Sequence, residues 1–170
     1  MIKRINEIIK NEFEIYGKIY IGTNRQNHKW HILRISSKPI YLFFRRILEL
    51  KSGKKVRKIE TPEVIKKSNL MIQLSFIRGF FDAEGTVGEN KKNPWLEIGQ
   101  ASKEKPCEIL CWIKKKLEES NIILCEPKRT SNQEFFRIRT AKRETIKRFF
   151  DIVSSNHQSK INKFNKIINR

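Results

Sequence analysis

FIRGFFDAEGTV, residues 76–87, closes a mostly apolar helix that begins near residue 70, and it places two carboxylates, Asp82 and Glu84, in the final turn. That end of a helix carries the negative pole of the helix dipole, so acids there are repelled unless something compensates. Ser75, Gly79 and Ala83 are spaced by four and share one face, with Asp82 beside it. A glycine inside a helix costs about 1 kcal/mol relative to alanine, so Gly79 calls for the close approach of a second helix. Leu70, Leu74, Ile77, Phe80 and Phe81 are expected to supply ordinary core. Pairing two such helices would crowd their terminal carboxylates, and a hard divalent cation relieves the crowding. Magnesium suits the position, because it takes only one or two protein carboxylates and completes its shell with water and phosphate. Such an ion beside basic strands is equipped for phosphodiester hydrolysis. Gly85 is expected to let the chain turn sharply from helix into strand.

Working outward, residues 69–153 read helix, strand, strand, helix, strand, strand, helix. The strands are GTVGEN and PWLEIGQ, then stretches within IILCEPKR and EFFRIR; the later helices are CEILCWIKKKLEES and RETIKRFFDIV. A short helix precedes them, entered through Thr61 as N-cap and Pro62 as first residue, and HQSKINKFNKIINR follows as a basic terminal helix. Upstream, Ile5, Ile8, Ile9 and Phe13 form a helical stripe over residues 3–16. KIYIGT and WHILRIS then alternate with period two, and SKPIYLFFRRILEL returns to a helix with Pro39 in its first turn. INEIIKNEFEIYGKIYIG, RIS, SK and LFFRRIL parallel ILCWIKKKLEESNIILCE, RIR, AK and RFFDIV at a separation of roughly 104 residues. The fold class is therefore α+β with antiparallel sheets. Residues 1–58 form a partial αββα repeat that lacks its leading helix and first hairpin, and residues 59–170 form a complete αββαββα unit followed by the basic helix.

The chain has 37 Lys and Arg against 18 Asp and Glu, a net charge of +19 spread along its 170 residues. A surplus of this size calls for a polyanion. No apolar run approaches the roughly 20 residues of a spanning helix, and MIKRINEIIKNEF lacks the uninterrupted apolar region of a signal peptide. Nucleic acid is therefore expected rather than membrane, at a cytoplasmic address. Cys107, Cys111 and Cys125 are an odd count without framework spacing. With His28 and His31 they do not reproduce zinc-ligand spacing, and packing is the simpler reading.

Strand alternation in EFFRIR buries Phe136 and Ile138 and presents Phe135, Arg137 and Arg139 on the other face. Arg34 and Ser36 take similar positions beside Ile35 in the first repeat. Two-stranded ribbons of this kind fit the major groove, where arginine reads guanine edges. Asn24, Arg25, Gln26 and Asn27 lie in the loop between the first two strands and offer the mixed polar chemistry of base reading. Lys128 adds a cation on the second ribbon, and the lysines of KSGKKVRK (51–58) and of the terminal helix are expected on phosphates.

Ile77-Arg78-Gly79-Phe80-Phe81-Asp82-Ala83-Glu84-Gly85 resembles the signature of the LAGLIDADG homing endonucleases, in particular the F-x-R-G-x-F-D-A-E-G form of archaeal intron- and intein-type members. The element order of residues 69–153 is also that family's. The resemblance implies signature helices paired across a two-fold or pseudo-two-fold axis, with sheets forming a saddle over duplex DNA. It implies that Glu84 and the Ala83 carbonyl bind Mg2+, that Asp82 is mostly structural at the helix interface, and that Gln100 organises active-site water. Arg139 stands where members often carry a lysine, and arginine does not give up its proton; Lys128 and Lys142 are the nearest substitutes. The implied activity is site-specific, metal-dependent cleavage of duplex DNA. The signature occurs once, which leaves three explanations open: a homodimer through the single helix, a pairing with another chain, or an element decayed to one acid. The alternative is a cleavage-deficient protein of the same fold that binds DNA or intron RNA.

Overall fold

A computed structural model describes residues 2–24, 26–50, 59–90, 93–130 and 134–169. Arg25 and the basic stretch 51–58 lie outside the described residues. The chain divides into two compact units, Met1–Leu50 and Lys51–Arg170.

The first unit contains α1 (Ile2–Phe13), β1 (Lys18–Thr23), β2 (Lys29–Arg34) and α2 (Lys38–Arg46). β1 and β2 form an antiparallel ribbon in which Tyr20 faces Ile32 and Gly22 faces Trp30. The amide of Asn6 binds both backbone groups of Gly17, at 3.0 and 2.8 Å, and pins α1 to the start of the ribbon. α2 begins at Ser37, whose hydroxyl accepts from the Ile40 amide, with Pro39 in its first turn. Among the described residues of this unit only Ile9 and Ile40 are buried apolar side chains.

The second unit runs α3 (Glu63–Lys66), α4 (Leu70–Glu84), β3 (Gly85–Asn90), β4 (Asn93–Ala101), α5 (Glu108–Glu119), β5 (Lys128–Arg129), β6 (Phe135–Thr140), α6 (Arg143–Ile152) and α7 (Gln158–Ile168). Its sheet is antiparallel in the order β3-β4-β6-β5. One face packs on the helices through Val87, Leu96, Ile98, Phe136 and Ile138, which meet Ile77, Phe81, Ile113, Leu117 and Phe149 in a continuous core. The other face carries Trp95, Glu97, Arg137 and Arg139.

Three local expectations are corrected. Leu70 is exposed rather than core, because the first turn of α4 projects beyond the sheet-facing layer. The short helix is capped by Pro62, one residue later than expected, while the buried Thr61 donates its amide to Glu108 Oε2 at 2.6 Å. The strand within IILCEPKR shrinks to two residues. Pro127 has no N–H to donate, so pairing with β6 is interrupted between the Cys125–Arg139 bond and the Lys128–Arg137 pair, although Ile122 and Leu124 remain buried. No described helix is long and apolar enough to cross a membrane.

Candidate metal centre and nucleic-acid interface

α4 is capped at its start by Asn69, whose side chain accepts from the Ile72 amide at 3.0 Å. Its side chains then divide by helical spacing. Gln73, Ile77 and Phe81 point into the protein and are buried; Phe81 lies edge-on to Phe149 and Phe150. Met71, Ser75, Gly79 and Ala83 form an exposed strip, and a Cβ added at Gly79 would meet nothing within 4 Å. Arg78 Nε donates to the Val153 carbonyl at 2.5 Å, tying α4 to the end of α6.

The two acids of the last turn separate completely. Asp82 is buried: its carboxylate accepts from Ser155 Oγ at 2.5 Å and from the Asn156 amide at 3.0 Å, holding the α6–α7 connection against the helix end. Glu84 is exposed, and its carboxylate makes no hydrogen bond or ion pair among the described residues. The carbonyls at this helix end are met by Lys160 of α7, whose ammonium donates to the Asp82 oxygen at 3.0 Å and to that of Phe81. The same nitrogen sits 4.6 Å from the Phe81 ring centroid. Burial lowers the Lys160 pKa, opposed by the negative charges of Asp82 and Glu84. A cation thus neutralises the negative pole that made this a poor place for acids, and it comes from 78 residues away.

Gly85 follows with φ −90°, an ordinary value. Its glycine is required by space: a Cβ would fall 2.1 Å from Phe81 Cδ2. Gln100 sits on the core face of β4, two residues beyond Ile98, the partner of Gly85, with its Oε1 buried and unpartnered. The donors available at the helix end, the Glu84 carboxylate and the Ala83 carbonyl, are hard oxygens suited to a magnesium-like ion that keeps most of its water. No group of three or more His, Cys, Asp or Glu side chains converges among the described residues. The donor set therefore fits one shared, partly hydrated cation and not a closed protein cage.

On the open face of the sheet, Asn90, Asn93, Trp95, Glu97, Arg137 and Arg139 line one hollow. Arg137 binds Glu97 at 2.9 Å, and the Arg139 guanidinium lies 5.5 Å from the Trp95 ring centroid. Arg139 therefore leans toward the β3–β4 hairpin, alongside a tryptophan paired with Gly88, and away from the strand end that adjoins Glu84. Lys128 is exposed on β5 beside Arg137. In the first unit Arg34 ends β2 in the open. Asn24 Oδ1 accepts from the amides of Gln26 and His28 at 3.0 and 2.9 Å, so this side chain shapes its loop, while Gln26 is exposed.

Sequence reasoning missed Lys160, Ser155, Asn156, Trp95 and Glu97. The last two carried a signal, since alternation along PWLEIGQ places them with the exposed arginines; the contacts of α7 with α4 had none.

The sequence pattern of the LAGLIDADG-like domain matches residues 71–154. The homing endonuclease I-ApeI of Aeropyrum pernix is 24% identical over 98% of this chain and 73% of its own length. The fold is similar to that of I-DmoI in complex with DNA and Mn, with TM-score 0.57 at 22% identity, covering 89% of this chain and 71% of that one. It is also similar to that of I-WcaI bound to its DNA recognition sequence, with TM-score 0.55 at 16% identity over 96% and 71% of the two chains. The signature helix ending in a clamped Asp82 and an open Glu84 and the αββαββα order agree with the matched pattern: residues 71–154 of this chain form a LAGLIDADG-like domain.

Proposed function

We propose that the protein is a site-specific DNA endonuclease of the homing type, hydrolysing phosphodiester bonds in duplex DNA with Mg2+ and acting as a pair joined through α4. The observation that carries this reading is the end of α4, where an unengaged Glu84 carboxylate adjoins a strip of small, exposed residues. A second helix laid on Ser75, Gly79 and Ala83 would bring a second carboxylate beside Glu84. The names of the similar proteins support the same direction, since I-ApeI is a homing endonuclease and I-DmoI is found with DNA and with Mn or Ca.

A divalent cation bound there supplies charge neutralisation at the scissile phosphate and a more acidic water. The chain's own contributions are distinct. Glu84 and the Ala83 carbonyl hold the ion, and Lys160 and Asp82 fix the helix end on which both ride. Gln100 offers a buried carbonyl oxygen to ordered water near the same end. The open face, with Arg137 and Arg139, binds the groove, and the +19 charge draws the duplex in.

A second reading, a binding protein for DNA or intron RNA without cleavage, is favoured by one observation: Arg139, at the position where members of the family often carry a lysine, lies over Trp95 and leans away from Glu84. Incubation with the DNA flanking the protein's own gene and Mg2+, beside Glu84→Gln, separates the two. The endonuclease reading predicts double-strand cuts by the wild type and none by the variant. Tight binding by both without cutting would sink it.

A further inference from the structure

The side chains on the open face of the second sheet follow a common diagonal. β6 pairs with β4 so that Gly99 opposes Arg137 and Glu97 opposes Arg139. Each β6 side chain nevertheless reaches two residues farther along. The Phe135 ring lies across Gly99, Arg137 bonds Glu97, and the Arg139 guanidinium sits over the Trp95 ring. Trp95 in turn lies across Gly88 of β3, its directly paired neighbour: a Cβ there would stand 2.8 Å from Trp95 Cζ2. Three adjacent strands thus form a chain of support, from Gly88 to Trp95 to Arg139.

The two arginines are held by different chemistry. An ion pair engages N–H donors, and Arg137 spends one on Glu97. A cation–π contact with an indole engages the charge of the guanidinium and spends none of its N–H donors. An arginine held in this way keeps them for the bidentate bond to guanine O6 and N7 that identifies that base in the major groove. The hollow beside it, with Asn90 and Asn93 on its rim, leaves that edge accessible.

We propose that Trp95 is a positioning residue for sequence recognition: lying across Gly88, it presets Arg139 to read one guanine of the duplex. The inference rests on the reading of the open face as the DNA-binding face and adds which base is read and what enforces it. Trp95 need not touch the DNA. Arg137, tied to Glu97, reads a separate position or contacts phosphate.

The test is a binding selection with the full chain on duplexes randomised across about 24 base pairs, longer than the one helical turn that a single ribbon can span. Wild type, Arg139→Ala, Trp95→Ala, Trp95→Phe and Gly88→Ala are compared, each first checked by thermal melting. The expected result is a strong guanine preference at one position of each half-site, which falls about tenfold in Arg139→Ala, the discrimination a bidentate pair provides. Trp95→Ala loses the same position and no other, Gly88→Ala weakens it, and Trp95→Phe retains it. Should Trp95→Ala melt early, Gly88→Ala and Trp95→Phe carry the comparison. Preserved preference in the folded Trp95→Ala or Gly88→Ala variants, or a loss spread evenly over all positions, overturns the proposal while leaving DNA binding intact. Wild type that enriches no sequence overturns the DNA-reading of the face, and the inference with it.

Discussion

The two units share an order of elements, helix, two strands, helix, yet they bury very different cores. In the second unit α5, β5, β6 and α6 are backed by α4, β3 and β4, and side chains such as Ile113, Ile138 and Phe149 lose all contact with water. In the first unit α1, β1, β2 and α2 have no such backing among the described residues, and Tyr20, Ile21, Trp30 and Ile32 remain between 44% and 66% exposed. The difference teaches what the signature helix and its hairpin contribute. They turn a two-stranded ribbon, marginal by itself, into one side of a four-stranded sheet with a closed interior.

The largest expected effect follows from that contrast. Residues 59–170 expressed alone should unfold in a single cooperative thermal transition, while residues 1–50 alone should show none. A cooperative melt of the short fragment would break the comparison. Next in size is the cost of a cavity. Phe81→Ala should destabilise the chain by about 4 kcal/mol in urea, because Phe149 and Phe150 cannot close the gap. Ile40→Ala, in the thinner unit, should cost about 2 kcal/mol, the low end for such a truncation. Equal losses at the two sites would mean that the first unit has an interior as rigid as the second.

The smallest effect concerns Lys160. Its folded pKa lies below the ordinary 10.5, chiefly through burial, so between that value and 10.5 the unfolded chain binds the additional proton. Stability should therefore rise with pH through this window, relative to a Lys160→Met variant. Titration of the Lys160 side-chain signal by NMR should give a midpoint below 10.5. A midpoint at 10.5 would place the ammonium in water, away from the end of α4, and one above it would mean that the charges of Asp82 and Glu84 outweigh burial.

Much of this organisation is legible in the sequence because it repeats locally. The spacing of Ser75, Gly79 and Ala83 marks the exposed strip, and the alternation of Phe136, Ile138 and Thr140 with Arg137 and Arg139 marks the two faces of β6. The illegible features depend on distant partners. Asp82 and Glu84 look alike in FIRGFFDAEG, and only the fold of Ser155 and Asn156 back onto one of them assigns a clamp to the first and an open carboxylate to the second. Gly85 looked like a turn glycine and is a space-making one, because a side chain there would collide with Phe81, four residues earlier.

The central claim is that the bare strip of α4 is a helix-pairing surface that brings a second carboxylate to Glu84. Sedimentation equilibrium at tens of micromolar, comparing wild type with Gly79→Leu, tests it most directly. The account predicts that the wild type carries a population at twice its 20.3 kDa mass and that Gly79→Leu, with a side chain filling the contact, remains monomeric and folded. A wild type that is monomeric throughout, or a Gly79→Leu variant that pairs as well as the wild type, would contradict it.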